Sequence, residues 1–186
     1  MRLFPVRRNL IFLACGAVLT AGGMVEAAIG SPSGTELLVS MHGTAGLHIE
    51  GKSQQLSLSE QQGELHFDVP LSSVDTGIGL RNRHMLGYLD ATHHPEAELQ
   101  IARAAVKFPP PGKSVESDAQ GTLTLHGVSR PCSVHYRVEQ TRPGEYRVHG
   151  TTGIDVRDFG IDVPSYLGVH VDPAVTIQLD VSLHDA

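Results

Sequence analysis

Strict alternation of apolar and polar side chains constrains this chain more than any other feature of its sequence. "GELHFDVP" places Leu65, Phe67 and Val69 on one face and Glu64, His66 and Asp68 on the other. "CSVHYRVEQ" does the same with Val134, Tyr136 and Val138, and "GTLTLHG" with Leu123 and Leu125. Near the C-terminus, "AVTIQLDVSLHD" sets Val175, Ile177, Leu179, Val181 and Leu183 against Thr176, Gln178, Asp180 and Ser182. A period of two repeated over so many segments specifies antiparallel strands, wet on one side and buried on the other.

Turn-forming residues fall between these runs, as "PPPGKS" at 109–114, "HGVSRP" at 126–131 and "RPGE" at 142–145. Strands are expected near 35–42, 45–51, 55–59, 63–70, 97–107, 118–126, 131–140, 145–156 and 173–184, the second and third being separate or one bent strand. Such strands must pool their apolar faces, either in a sandwich or in a sheet that closes on itself. A barrel of eight strands encloses a space that side chains fill or that one small ligand occupies. The inward positions are mostly Leu, Val and Ile, with no Trp in the chain, which leaves room for a lumen. One stretch breaks the pattern. From Gly79 to Leu89 the apolar spacing turns helical, and Pro95 lies beyond its end, so a short helix is expected across one mouth as a lid.

The first 27 residues carry a different signal. Arg2, Arg7 and Arg8 precede an uncharged apolar run from Leu10 to Val25, and Val25-Glu26-Ala27 offers small residues where a leader peptidase reads. That is the layout of a cleaved secretory leader, with the domain at 28–186 and a periplasmic destination expected. Cys15 in "FLACG" lacks the aliphatic neighbour that lipoprotein processing needs. Cleavage after Ala27 takes the net charge from −6 to −8, a surface that repels nucleic acid and anionic lipid headgroups and disfavours nucleic acid as a partner. Cys132 alone would remain, so the domain has no internal disulfide.

Polar residues concentrate in "SSVDTGIGLRNRHMLGYLDATHHP", residues 72–95. A metal-dependent hydrolase built on His84, His93 and His94 needs three or four ligands converging on one point. Adjacent histidines tend to point apart, and no HExxH pair is present, so the expected reading is His84 hydrogen-bonded within the lid and His93 and His94 solvated. Catalysis lacks a nucleophile elbow. Asp75, Asp90, Asp155 and Asp158 are the carboxylates that folding would have to pair. No enzyme activity, metal or cofactor is expected.

The same stretch resembles the signature segment of the YceI-like proteins, which runs D-T-G, then R-[DN]-x-H, then an acidic residue and a proline before a strand. "GTLTLHGVSRP" is similar to that family's G-x-L-T-x-x-G-V-[TS]-[KR]-P hairpin, and "VRDFGID" to its R-x-D-F-G-I segment, with no residue between Arg157 and Asp158. The likeness covers roughly residues 36–184. It departs from the family between His84 and Pro95, which is short and has Tyr88-Leu89 for paired phenylalanines, and before Thr44, which is abbreviated. The resemblance implies an all-β, eight-stranded, antiparallel lipocalin-like barrel with an elongated apolar tunnel. It also implies an exported carrier for an isoprenoid or other long-chain lipid.

Within that frame Arg81 and Arg83 stand at the mouth, where Arg81 either holds a polar head or pairs with Asp75, Asp90 or Asp158 to pin the lid. Phe67, Leu123, Leu125, Val134 and Tyr136 are expected along the tail, with His84, Met85 and Tyr88 from the lid and Phe159 from "VRDFGID" completing the ligand-binding set. The alternatives are the hydrolase above, and a filled barrel acting as an interaction or stress-response module with an exposed apolar patch. A homodimer is left open.

Overall fold

A computed structural model of the 186-residue chain describes residues 32–163, 165–166 and 169–184. The expected leader and Cys15 lie outside the described residues. The alternating segments form antiparallel strands, beginning with β1 (Ser33–Gly43), β2 (His48–Ser53), β3 (Ser57–Gln61) and β4 (Glu64–Pro70). Helix α1 (Gly79–Tyr88) follows, then β5 (Glu96–Ala102), β6 (Ser114–Leu125), β7 (Val128–Arg142) and β8 (Glu145–Asp155). The chain continues through β9 (Ser165–Tyr166) and β10 (Val169–His184).

Nine strands hydrogen-bond in the order β2-β1-β10-β8-β7-β6-β5-β4-β3, and β9 pairs off this path with β10. The sheet curls into a half-barrel, with one strand more than the eight expected. β2 and β3 are separate strands rather than one bent strand, and they lie at opposite ends of that order. After β2 the chain crosses to the far edge, where β3 pairs with β4. Two serines secure this crossing. Ser53, 3 % exposed, accepts from the Gln55 backbone N–H at 3.1 Å and meets the Ser73 hydroxyl at 2.6 Å. Ser73 in turn donates to the Pro70 carbonyl at 2.6 Å. Each hydroxyl thus has a partner, which removes the 1–3 kcal/mol or so that a buried orphan would cost.

The fifth expected strand stops at Ala102 instead of 107, because a short 3-10 turn at Arg103–Ala105 lifts the chain out of the sheet. The segment that follows packs against β7 and β8 on the second buried cluster of the sheet. Tyr136, 4 % exposed, accepts from the Lys107 N–H at 2.9 Å and donates to the Ala105 carbonyl at 3.2 Å. Phe108 meets Tyr146 edge-on at 5.1 Å between ring centroids. Glu60, opposite the buried Leu65, faces the Arg103 Nε at 3.8 Å, and the guanidinium lies 4.3 Å from the centre of the Phe108 ring.

Candidate functional site

Strand register traces the concave face. Leu58 sits opposite Phe67, Phe67 opposite Leu99, and Leu99 opposite Leu123. Val138 pairs with Val148 and that with Val181, while Ile177 and Leu179 pair with Val39 and Leu37. A domain usually has one contiguous buried core with smaller satellite clusters. Here most of the buried apolar side chains fall into three. One holds Leu71, Leu123, Leu125, Phe159 and Ile161 at the α1 end. A second holds Ile101, Ala119, Val134, Tyr136 and Val138, and a third Leu37, Val69 and Val74. Leu99 and Cys132 touch both the first and the second, and Ile177 both the first and the third. These linking residues stay half-buried, as do Phe67, Val39 and Leu179, although the register directs them inward. These half-buried apolar side chains form an inward-facing row between the clusters, called the trough below. Burial also raises the Cys132 thiol above its usual range.

Helix α1 spans two of the clusters. Met85 packs on the third, and Leu86 and Leu89 on the first. Its N-terminal anchor is polar. Asn82 Oδ1 accepts from the Thr76 N–H at 2.9 Å and from the Thr76 hydroxyl at 2.6 Å, while its Nδ2 donates to Asp75 Oδ1 at 2.7 Å. Asp75 also accepts from the Gly77 N–H, and its backbone pairs with Lys52 of the edge strand β2. The Asn82 bond, then the Gly77 bond, holds the Asp75 carboxyl below the usual range. The C-terminal side is held by contact between histidines and a turn. Asp90 accepts from His93 Nδ1 at 2.8 Å, a bond that lowers its pKa. His94 lies over the His126-Gly127 turn of the β6–β7 hairpin, 6.0 Å from the His126 ring and so close to Gly127 that a Cβ there would sit about 2.5 Å from it. Gly127 also has φ +73°, which a side chain resists.

The expected site residues therefore divide. Leu123, Leu125 and Phe159 lie together in the first cluster and Val134 and Tyr136 in the second, all buried by their own neighbours. Phe67 and Met85 are half-buried along the trough. Arg81 is half-buried and, among the described residues, has no ion pair or hydrogen bond, so the Arg81 pin gives way to the Asn82 clasp. His84 is exposed on the outer side of α1 and, among the described residues, makes no hydrogen bond, which corrects the expected bond within the lid. Tyr88 is 44 % exposed on the same side. The trough residues Val39, Leu99, Ile177 and Leu179 were not singled out as ligand contacts. Their signal was the alternation itself, since Ile177 and Leu179 share a face with Val175 and Val181.

The proposed catalytic groupings do not assemble. His84 faces outward, His93 turns to Asp90, and His94 packs on the hairpin turn. Among the described residues no three His, Cys, Asp or Glu side chains converge to hold a metal ion. Asp155 is engaged by Arg157, whose hydrogen bonds lower its pKa. A cleft of about 600 Å³ opens beside α1, between Ser72, Arg83, Leu86, Ala91, Thr92 and Pro95.

Residues 31–183 match the YceI-like domain. A UPF0312 protein of Pseudomonas fluorescens is 29 % identical over 177 residues, covering 83 % of this chain and 87 % of its own length. A UPF0312 protein of Pseudomonas savastanoi pv. phaseolicola is 27 % identical over 195 residues, covering 95 % and 96 %. Among solved structures, a polyisoprenoid-binding domain from Saccharophagus degradans, implicated in plant cell wall breakdown, superposes with a TM-score of 0.70 at 18 % identity. That match covers 86 % of this chain and 98 % of the other. Burkholderia cenocepacia BcnA superposes with a TM-score of 0.61 at 20 % identity, covering 78 % and 95 %. At these identities the two structures speak for the fold.

Proposed function

The chain belongs to the YceI-like family, and on that premise we propose that it is an exported, non-enzymatic carrier for a long apolar molecule of the isoprenoid class. The observation that carries this reading is the row of inward apolar side chains that stay half-buried between three buried clusters. Exposed hydrocarbon facing inward is the lining of a binding site, since a hydrocarbon guest would gain roughly 0.8 kcal/mol per buried methylene. A chain of ten or more methylenes then reaches micromolar affinity after the costs of association are met.

In this reading the tail lies along Phe67, Leu99, Ile177 and Leu179, with Leu123, Leu125, Val134 and Phe159 forming the packed wall behind. Tyr136 offers only its ring, because its hydroxyl is committed to the 105–107 backbone. Arg81, unpartnered among the described residues, takes the polar head with Met85 beside it. The apolar, basic-flanked run at residues 1–27 supports export to the periplasm.

Native mass spectrometry of protein purified without detergent tests the proposal. A lipid-sized adduct, exchangeable with added polyprenol or quinone and weakened in Leu99→Asp, is expected. Failure to bind any such molecule would remove the carrier reading.

A further inference from the structure

We infer that the outer side of helix α1, with Ile78 before it, is a docking surface for an anionic phospholipid membrane. Among the described residues the large apolar side chains left exposed are Ile78, Leu80 and Tyr88, at 48 %, 54 % and 44 %, and all three fall within one eleven-residue segment. Leu80, His84 and Tyr88 follow one another at four-residue steps, so they share a single stripe on the helix. Scattered apolar residues on a surface are ordinary; a cluster confined to one projecting element marks an interaction site.

The charge around this patch selects the partner. The chain as a whole is acidic, at −6, yet α1 carries Arg81 and Arg83 and no carboxylate. Neither arginine has an ion pair or hydrogen bond among the described residues. The adjacent carboxylates are already engaged, Asp75 by Asn82 and Gly77 and Asp90 by His93. Unpaired guanidinium groups flanking exposed Ile, Leu and Tyr are complementary to phosphate headgroups lying over acyl chains, and tyrosine favours that boundary. Arg83 also lines the cleft of about 600 Å³, which has room for a headgroup beside Leu86 and Gly87.

This inference rests on the carrier reading and extends it. The element that bridges the buried clusters at one end of the trough would lie at the bilayer, so an apolar chain could pass between membrane and trough without crossing water.

The test uses the purified chain, with the same N-terminal segment in every variant, and vesicles of phosphatidylcholine with or without 30 mol % phosphatidylglycerol. Wild type is expected to sediment with the anionic vesicles at least tenfold more strongly than with the neutral ones, and to be released by high salt. Ile78→Ser/Leu80→Ser and Arg83→Glu should each reduce that binding fivefold or more. Arg142→Glu, at an exposed position in the β7–β8 turn, should not. The chain has no Trp, so Leu80→Trp is a single reporter whose emission should shift to the blue on adding anionic vesicles. Equal binding by wild type and the α1 variants, or no emission shift, overturns the inference. So does a dimer that Ile78→Ser/Leu80→Ser abolishes while vesicles leave the emission unchanged, because the patch then belongs to a second copy. Native mass spectrometry of the same preparations keeps the two readings apart. Protein that carries lipid but ignores vesicles defeats docking alone, and protein that docks but carries no lipid defeats the carrier reading alone.

Discussion

Replacing Asn82 with alanine should loosen helix α1 while leaving the sheet intact. The side chain makes two part-buried hydrogen bonds to Thr76, at 2.9 and 2.6 Å, and one surface bond to Asp75. A typical net contribution of about 1 kcal/mol per bond gives roughly 2 kcal/mol for the pair to Thr76. The bond to Asp75 is solvent-screened and is left out of that figure. In equilibrium terms 2 kcal/mol is roughly a 30-fold increase in local opening. Hydrogen exchange read by mass spectrometry should therefore show faster exchange over 76–90, with β6, β7 and β10 unchanged.

A second variant gives the argument a sign. Asn82→Asp keeps the acceptor for Thr76 but sets a carboxylate against Asp75. In the wild type the depressed Asp75 pKa means its contribution is present above the unfolded value and is lost as pH falls through the folded one. Two facing carboxylates reverse this, so Asn82→Asp should gain stability relative to Asn82→Ala on acidification from pH 7 toward 4. If Asn82→Ala exchanges over 76–90 within twofold of wild type, then Met85, Leu86 and Leu89 hold the helix unaided and the clasp argument fails.

Gly127→Ala should destabilise by about 1–3 kcal/mol in chemical denaturation, because its φ of +73° disfavours a side chain and the new methyl would displace the His94 ring. His135 is held between Asp118 at 2.9 Å and Glu116 at 3.0 Å, with its pKa raised chiefly by the Asp118 bond and then by Glu116. Its stabilising contribution is complete below the unfolded pKa and disappears as pH rises through the folded one. His135→Gln should therefore lower the melting temperature more at pH 5 than at pH 8, and an NMR titration of the ring should give a value above that of a free histidine. Glu60 Oε2 and Arg103 Nε are shielded from solvent without a hydrogen-bond partner, and their side chains are 18 % and 23 % exposed. Removing Glu60 alone should cost about 1–3 kcal/mol, whereas Glu60→Leu/Arg103→Met should come closer to wild type. A double-mutant cycle by urea denaturation that shows simple additivity would refute this coupling.

The strands were legible because each is wet on one side, and nothing else in a sequence produces so regular a period of two. β7 and β10 carry it almost unbroken, and both appear at nearly the expected places. Their order around the sheet was not legible. It depends on the chain crossing from β2 to β3, where the Ser53–Ser73 contact joins residues 20 apart. α1 was visible from its spacing, but its clasp was not, since Asn82 reaches back six residues to Thr76. A signal did exist, in that Asn82 occupies the [DN] position of the motif quoted for the family. Arg81, one residue earlier, drew attention because it is charged. The end of β5 was misread because Arg103–Ala105 leaves the sheet for a contact with Tyr136, and alternation says nothing about which partner a buried hydroxyl will find.

The unjoined margins of the half-barrel have a mechanical consequence. Every other neighbouring pair on the path is bound by a ladder of backbone bonds, so widening the curl between them would break rungs. Between β2 and β3 the described residues offer none, and the backbone bridge nearby is Lys52–Asp75 beside α1. The girth at this seam is therefore set by side-chain packing, through the Leu37–Val69–Val74 cluster and the Ser53–Ser73 contact, rather than by backbone rungs. In the proposed carrier, guests of different thickness would meet a margin that yields by side-chain repacking rather than by breaking a ladder.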